Sequence, residues 1–200
     1  MINEKLLKQI DFIREVDKLK TIFRQSYIIN DDRKENDAEH SWHLSLMAVI
    51  LSEYANENID ILKVLKMILV HDLVEIDAVD TFCYDKDAAS TKKEREEKAA
   101  DRIFSLLPPE QGKEIRSLWE EFENRSTPEA KFAAGLDRLQ PLLMNYGQKG
   151  KTWKEHNVTS DRVLERNKHM KDGSTELWEF AENLIKDAVE KGYLDRTRKC

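Results

Sequence analysis

The sequence predicts an all-α fold: a single helical domain with a polar site between its central helices. Three observations lead there. Turn formers are scarce, with six Gly and four Pro in 200 residues, against roughly 12% in average usage. That is too few for a turn-rich β sandwich or barrel. Apolar residues recur at helical spacing along nearly the whole chain. Helix-start signals stand where those periodic stretches begin, at Asn3, Asp60 and Thr127-Pro128. A length of 200 residues suits one domain with a sizeable core, taken here as 1–200. At 40% hydrophobic and 36% charged, the chain can bury such a core and stay hydrated outside.

The elements follow in order. Asn3 caps a first helix whose apolar stripe is Leu6, Leu7, Ile10, Ile13, Val16 and Leu19. Residues 23–36, with Asn30-Asp31-Asp32-Arg33 inside, read as a polar connector. A second helix is predicted over 38–54. Its Leu44, Leu46, Met47, Ala48, Val49, Ile50 and Leu51 surround the axis, which predicts a central, buried helix. Asp60 caps a third, over 61–73, also apolar on most sides. Residues 77–90 read as irregular. Thr91-Lys-Lys-Glu94 is a capping box that would open the next helix, ending before Pro108-Pro109. A short helix over 110–123 comes next. Thr127-Pro128 then starts a long one to residue 146, with Pro at its first position. Residues 147–160 read as a loop. Helices over 161–170 and 174–190 complete the chain, packing on the rest, with Gly192 closing the last.

Composition excludes several function classes. The net charge is −6 and there is no basic run, so the footprint of a duplex-binding protein is missing. The longest apolar stretches, such as Met47-Ala48-Val49-Ile50-Leu51, fall far short of a membrane span. Residues 1–11 mix Glu, Lys and Asp with no apolar core, so no signal peptide is expected. Two cysteines, Cys83 and Cys200, make no disulfide framework, and the expected compartment is the reduced cytoplasm.

The informative residues are polar ones in apolar surroundings. His40 opens the second helix, three residues before His43. His71-Asp72 follows Met67-Ile68-Leu69-Val70, and Glu75 comes four residues after His71. Asp137 falls beside the Phe132, Leu136, Leu139 and Leu143 stripe, among Ala130, Ala133, Ala134, Pro141 and Met144. A buried carboxylate there costs several kcal/mol unless paired or metal-bound. Taken singly, each has a plain structural reading: Asp137 as an ion-pair partner, His40 as a core histidine with its hydrogen bonds met. Together, His40, His71, Asp72 and Asp137 would supply two imidazoles and two carboxylates to one divalent cation, Mn²⁺, Co²⁺, Fe²⁺, Zn²⁺ or Mg²⁺. His43 reads as a packing or supporting residue. His156 and His169 read as solvated.

The order His40, His71-Asp72, Asp137 on a helical chain resembles the HD-domain phosphohydrolases. Three stretches bring it closer to the branch containing the 5′-deoxynucleotidases: Arg33-Lys-Glu-Asn-Asp-Ala-Glu-His40-Ser; His71-Asp72-x-x-Glu75 with Asp80; and Leu107-Pro-Pro-Glu through Ala130-Lys-Phe-Ala-Ala-Gly-Leu-Asp137-Arg-Leu-Gln. Residues 5–147 carry the likeness best. The resemblance implies one divalent ion on His40, His71, Asp72 and Asp137. It implies Glu75 as the acid that handles the attacking water, and Asp80 as the contact to the sugar 3′-hydroxyl. Arg24 matches the phosphate-binding arginine after a one-residue shift in the connector. Gln25 stands where members with the best-described deoxyribose selectivity carry Trp, which leaves the 2′ position open. The implied activity is phosphate release from 5′-deoxynucleoside monophosphates by a homodimer. Other HD-type hydrolases of cyclic nucleotides, guanosine polyphosphates or triphosphates are the alternative, and a non-catalytic helical module is a third. Intact His40, His71, Asp72, Glu75 and Asp137 speak against the last.

Overall fold

Ten helices and one short hairpin make up the described residues of the computed structural model, 3–78 and 86–196. Helix α1 spans Glu4–Val16, and the Asn3 side chain accepts from Lys5 N at its start. A 3₁₀ turn, Asp17–Thr21, leads into the antiparallel strands β1, Phe23–Tyr27, and β2, Lys34–Asn36. This corrects the connector expected over 23–36. Asp31 and Asp32 sit in a turn closed by Ile28 N donating to Arg33 O at 3.1 Å. Asn and Asp suit such a turn because their side chains satisfy nearby backbone groups. Only Ser26 of β1 and Glu35 of β2 are buried, so the strands show no apolar alternation by which a sequence betrays them.

Helix α2 covers Asp37–Leu51 and begins in a capping box, Asn36 with Glu39. Helix α3, Ile61–Val70, is capped by Asp60, which accepts from Leu62 N and Lys63 N. It ends earlier than the periodicity suggests. Residues 71–74 tighten into a turn, with Leu73 N donating to Val70 O and Glu75 N to Asp72 O, before the single-turn α4, Glu75–Ala78. Helix α5, Lys86–Phe104, starts upstream of the expected box, so Thr91 lies inside it. Ala88 and Ala89 favour that extension.

Helices α6, Pro109–Asn124, and α7, Pro128–Gly147, lie close to expectation; Thr127 caps α7 by accepting from Ala130 N. The loop expected over 147–160 contains α8, Lys151–Glu155. Gly150 enters it at φ 75°, where a Cβ would collide with Tyr193 O. Helix α9, Ser160–Asn167, passes into a 3₁₀ turn, Lys168–Asp172, and α10, Thr175–Glu190, follows with Ser174 as cap. Gly173 lets that 3₁₀ turn press on α7, since a Cβ there would come within 2.4 Å of Lys131 O.

One apolar cluster runs from Leu19 to Leu194 and centres on α7, which packs on α2, α3, α6 and α10. Phe132, Leu136 and Leu139 of α7 are fully buried with Leu44, Val64, Met67 and Ile68. Leu142 is buried on α7 as well, beside the expected Leu143, which is partly buried against the core. The expected burial of α2 holds for one face only: Leu46, Val49 and Ile50 are exposed, and so are Leu6, Leu7, Ile10 and Ile13 of α1. Periodicity marks which side chains share a face. It does not say that another element covers that face. Among the described residues, no helix is long and apolar enough to cross a membrane.

Candidate metal centre

Three segments bring four side chains together at the buried end of α2. His40 comes from its first turn, His71 and Asp72 from the turn after α3, and Asp137 from the middle of α7. His40, His71 and Asp72 each offer a ligand atom within 4.8 Å of the others, a spacing that can hold a metal ion. Asp137 joins them: its Oδ1 lies 3.0 Å from His40 Nε2 and 3.8 Å from His71 Nε2. Asp72 Oδ2 is 3.2 Å from His71 Nε2 and 3.9 Å from His40 Nε2. Pro141 contributes from within α7. It has no N–H for the carbonyl of Asp137, four residues back, and so loosens the helix just below the site.

The histidine hydrogen bonds test whether a cation fits. His71 Nδ1 bonds the carbonyl of Ile68 at 2.7 Å. A carbonyl only accepts, so Nδ1 carries the proton, and in the neutral ring Nε2 presents a lone pair. That Nε2 is buried and makes no hydrogen bond, although a carboxylate oxygen stands 3.2 Å away. Lone pair facing carboxylate is unfavourable until a proton or a metal ion stands between them. The donor set, imidazole nitrogen with carboxylate oxygen, suits a divalent first-row ion or Mg²⁺.

Electrostatics agree with that need for positive charge. Burial works against a charged His71, yet the Asp72 and Asp137 carboxylates hold its pKa well above the usual imidazole value. His40 is pushed down by burial and by Arg24, and up by Asp137 and Glu35; the upward pull wins. Burial opposes ionisation of Asp72, but His71 and Arg24 bring its pKa below the ordinary carboxylate value. Arg138 and the two histidines do the same for Asp137 against the same penalty.

The hairpin explains how Arg24 arrives. Strand β1 aims it at the cluster, where Nη1 donates to Asp72 Oδ2 at 2.7 Å and to Asp37 Oδ1 at 3.1 Å. Glu75 is buried at the start of α4, one turn beyond His71. Asp80 and Cys83 lie outside the described residues. His43 stays out of the cluster, with Nδ1 3.3 Å from Gln140 Nε2.

His169 corrects the expectation of a solvated side chain. It is half-buried, and burial, with Arg138 and Arg125, brings its pKa down to about 4. Sequence reasoning missed Glu35, Asp37 and Gln140, all buried around the site. The signal for Gln140 was its place three residues after Asp137 on an apolar helix. Glu35 sat in the connector read as polar over 23–36, and Asp37 just after it.

The HD domain family model matches residues 16–178. The human 5′-deoxynucleotidase HDDC2 is 32% identical over 67% of this chain, and the chain spans only 65% of that protein's length. The Dictyostelium discoideum protein of the same name is 31% identical over 68% of this chain and 75% of its own. A crystal structure from Magnetospirillum magnetotacticum, described as a predicted metal-dependent phosphohydrolase, superposes with a TM-score of 0.93 at 49% identity; the match covers 98% of this chain and 100% of that one. With its family model matched over most of its length and its histidines and aspartates gathered at one buried point, this chain belongs to the HD-domain family.

Proposed function

We propose that the chain is a metal-dependent phosphomonoesterase that releases phosphate from 5′-deoxynucleoside monophosphates. The observation that carries the reading is the buried cluster of His40, His71, Asp72 and Asp137, in which lone pairs and carboxylates face one another. The activities named for the relatives supply the substrate class.

In this reading the four side chains hold one divalent cation. Such an ion neutralises phosphate charge and acidifies water when bound. Glu75 orients the attacking water and takes its proton. The water oxygen bonds to phosphorus as the bond from phosphorus to O5′ breaks, giving a nucleoside and inorganic phosphate. Arg24, at the rim of the cluster, grips phosphate oxygens as charge moves to the leaving oxygen. Asp80 accepts a hydrogen bond from the sugar 3′-hydroxyl. Each of these contacts addresses phosphate or sugar, so the base matters little.

The whole chain, 1–200, is read as one domain, since one apolar cluster spans Leu19 to Leu194. It works as a homodimer in the cytoplasm. Exposed apolar residues on α2 and on α3 support the dimer: Trp42, Leu46, Val49 and Ile50 on the first, Leu62 and Leu69 on the second.

The test is phosphate release from a substrate panel with Mn²⁺, Co²⁺ and Mg²⁺ in turn. We expect 2′-deoxynucleoside 5′-monophosphates to react with little base preference and 3′-monophosphates to react poorly. A 2′,3′-dideoxy monophosphate should be much slower than its 2′-deoxy parent, because Asp80 loses its donor. Asp80→Ala should shrink that gap. Hydrolysis of cyclic nucleotides or triphosphates in place of monophosphates would overturn the reading.

A further inference from the structure

On the side of His40 away from Asp137 lies a second set of buried polar groups that the proposed reaction leaves unused. Gln140 is 0% exposed and Glu35 2%. Gln140 Nε2 donates to Glu35 Oε1 at 2.7 Å, and Gln140 Oε1 lies 3.2 Å from His40 Nδ1. Glu35 Oε2 is 3.6 Å from the same Nδ1. A carboxamide has two ends of similar shape and opposite chemistry. A carboxylate only accepts, so Glu35 takes the amide nitrogen of Gln140 and turns the amide oxygen towards His40. That oxygen also only accepts, so the His40 proton sits on Nδ1. In the neutral ring Nε2 then offers its lone pair on the side of Asp137 Oδ1, 3.0 Å away.

We propose that Glu35 and Gln140 form an orienting relay that locks His40 in the Nδ1–H tautomer and presents Nε2 to a divalent cation. The inference rests on the reading of His40 as a ligand. His71 solves the same problem with the Ile68 carbonyl at 2.7 Å, a backbone group that any sequence supplies. For His40 the orienting acceptor is the Gln140 side chain, itself held by the carboxylate on β2. Glu35 and Gln140 are positioning residues: neither touches substrate. Groups that orient a ligating histidine typically carry 10–100-fold in metal affinity or activity. The hairpin thus serves the centre twice, with Arg24 from β1 and Glu35 from β2.

The experiment is a Co²⁺ titration of the metal-free protein followed by visible ligand-field absorption, on wild type, Gln140→Leu, Glu35→Gln and His40→Ala, with circular dichroism as the control for folding. Gln140→Leu should weaken Co²⁺ binding by about 10–100-fold and alter the absorption band. Glu35→Gln should weaken it less, since an amide at 35 accepts from Gln140 but no longer dictates its orientation. Where Gln140→Leu fails to fold, the ring of His40 in the Zn²⁺-loaded wild-type protein decides: a slowly exchanging Nδ1 proton in a long-range ¹H–¹⁵N spectrum supports the relay, and a proton on Nε2 overturns it. Wild-type Co²⁺ affinity in both Gln140→Leu and Glu35→Gln, beside a His40→Ala that has lost the ion, overturns the relay alone. Wild-type affinity in His40→Ala overturns the relay and the ligand assignment beneath it.

Discussion

Helix α2 has two faces, and each reverses the ordinary partition of polar and apolar groups. The inner face buries His40 completely, beside Leu44 and Ala48, and directs it at two carboxylates. The outer face leaves Trp42 67% exposed, with Leu46, Val49 and Ile50 beside it. The polar groups inside hold one another: every member of the cluster has an oppositely charged or hydrogen-bonding neighbour within 4 Å. Scattered exposed apolar residues are ordinary, but a contiguous apolar patch on one helix face marks a contact surface. The difference teaches that a buried polar cluster names its own chemistry, while an exposed apolar face names only the need for a cover.

The largest effects are expected at the inner face. Asp72→Ala should reduce phosphate release to background and remove bound metal together, as read by metal analysis of the purified variant. Full metal occupancy in that variant would take Asp72 out of the ligand set. Glu75→Ala should keep the metal and lose about 10²–10⁴ in turnover, which separates handling of water from holding of the ion.

Two leucines, two residues apart on α2, sharpen the contrast. Leu44 is fully buried and Leu46 is 48% exposed. Leu44→Ala should cost about 2–5 kcal/mol of stability by denaturant unfolding. Leu46→Ala should cost under about 0.5 kcal/mol in the dissociated chain. Equal losses in the two would mean that the outer face is covered within a single chain. Leu46→Glu tests the cover directly. Light scattering should show dimers giving way to monomers at the same protein concentration, with the helical circular dichroism unchanged. A wild-type mass for this variant would move the interface elsewhere, the exposed stripe of α1 being the next surface to try.

The smallest expected effect concerns His169. Its pKa in the folded chain is about 4, below the ordinary 6.5, because of burial and the nearby Arg138 and Arg125. Between those values the unfolded chain binds a proton that the folded chain does not. Stability therefore rises with pH across that window and falls as pH drops from 6.5 towards 4. His169→Gln should flatten this slope by about 1 kcal/mol once solvent screening of a half-exposed group is allowed for. Parallel pH–stability curves for variant and wild type would show that another group sets the acid limb.

By itself the sequence determined the helices with strong local signals. Asn3, Asp60 and Thr127 cap their own helices by hydrogen bonds to residues two or three positions away, and Pro128 sits where a missing N–H costs nothing. It also marked His40, His71, Asp72 and Asp137, because a charged or ionisable side chain among apolar neighbours is anomalous wherever it stands. Only the tertiary structure decided the rest. The hairpin of residues 23–36 is polar and gains its form from the helices it lies against, so it left no periodic trace. Glu35, Asp37 and Gln140 became site residues through partners 13 to 105 positions away. Whether the apolar faces of α1 and α2 meet another element is likewise a matter of packing. A helix's own sequence orders side chains around its axis through local hydrogen bonds and sterics, whereas cover and pairing depend on chain segments distant in sequence.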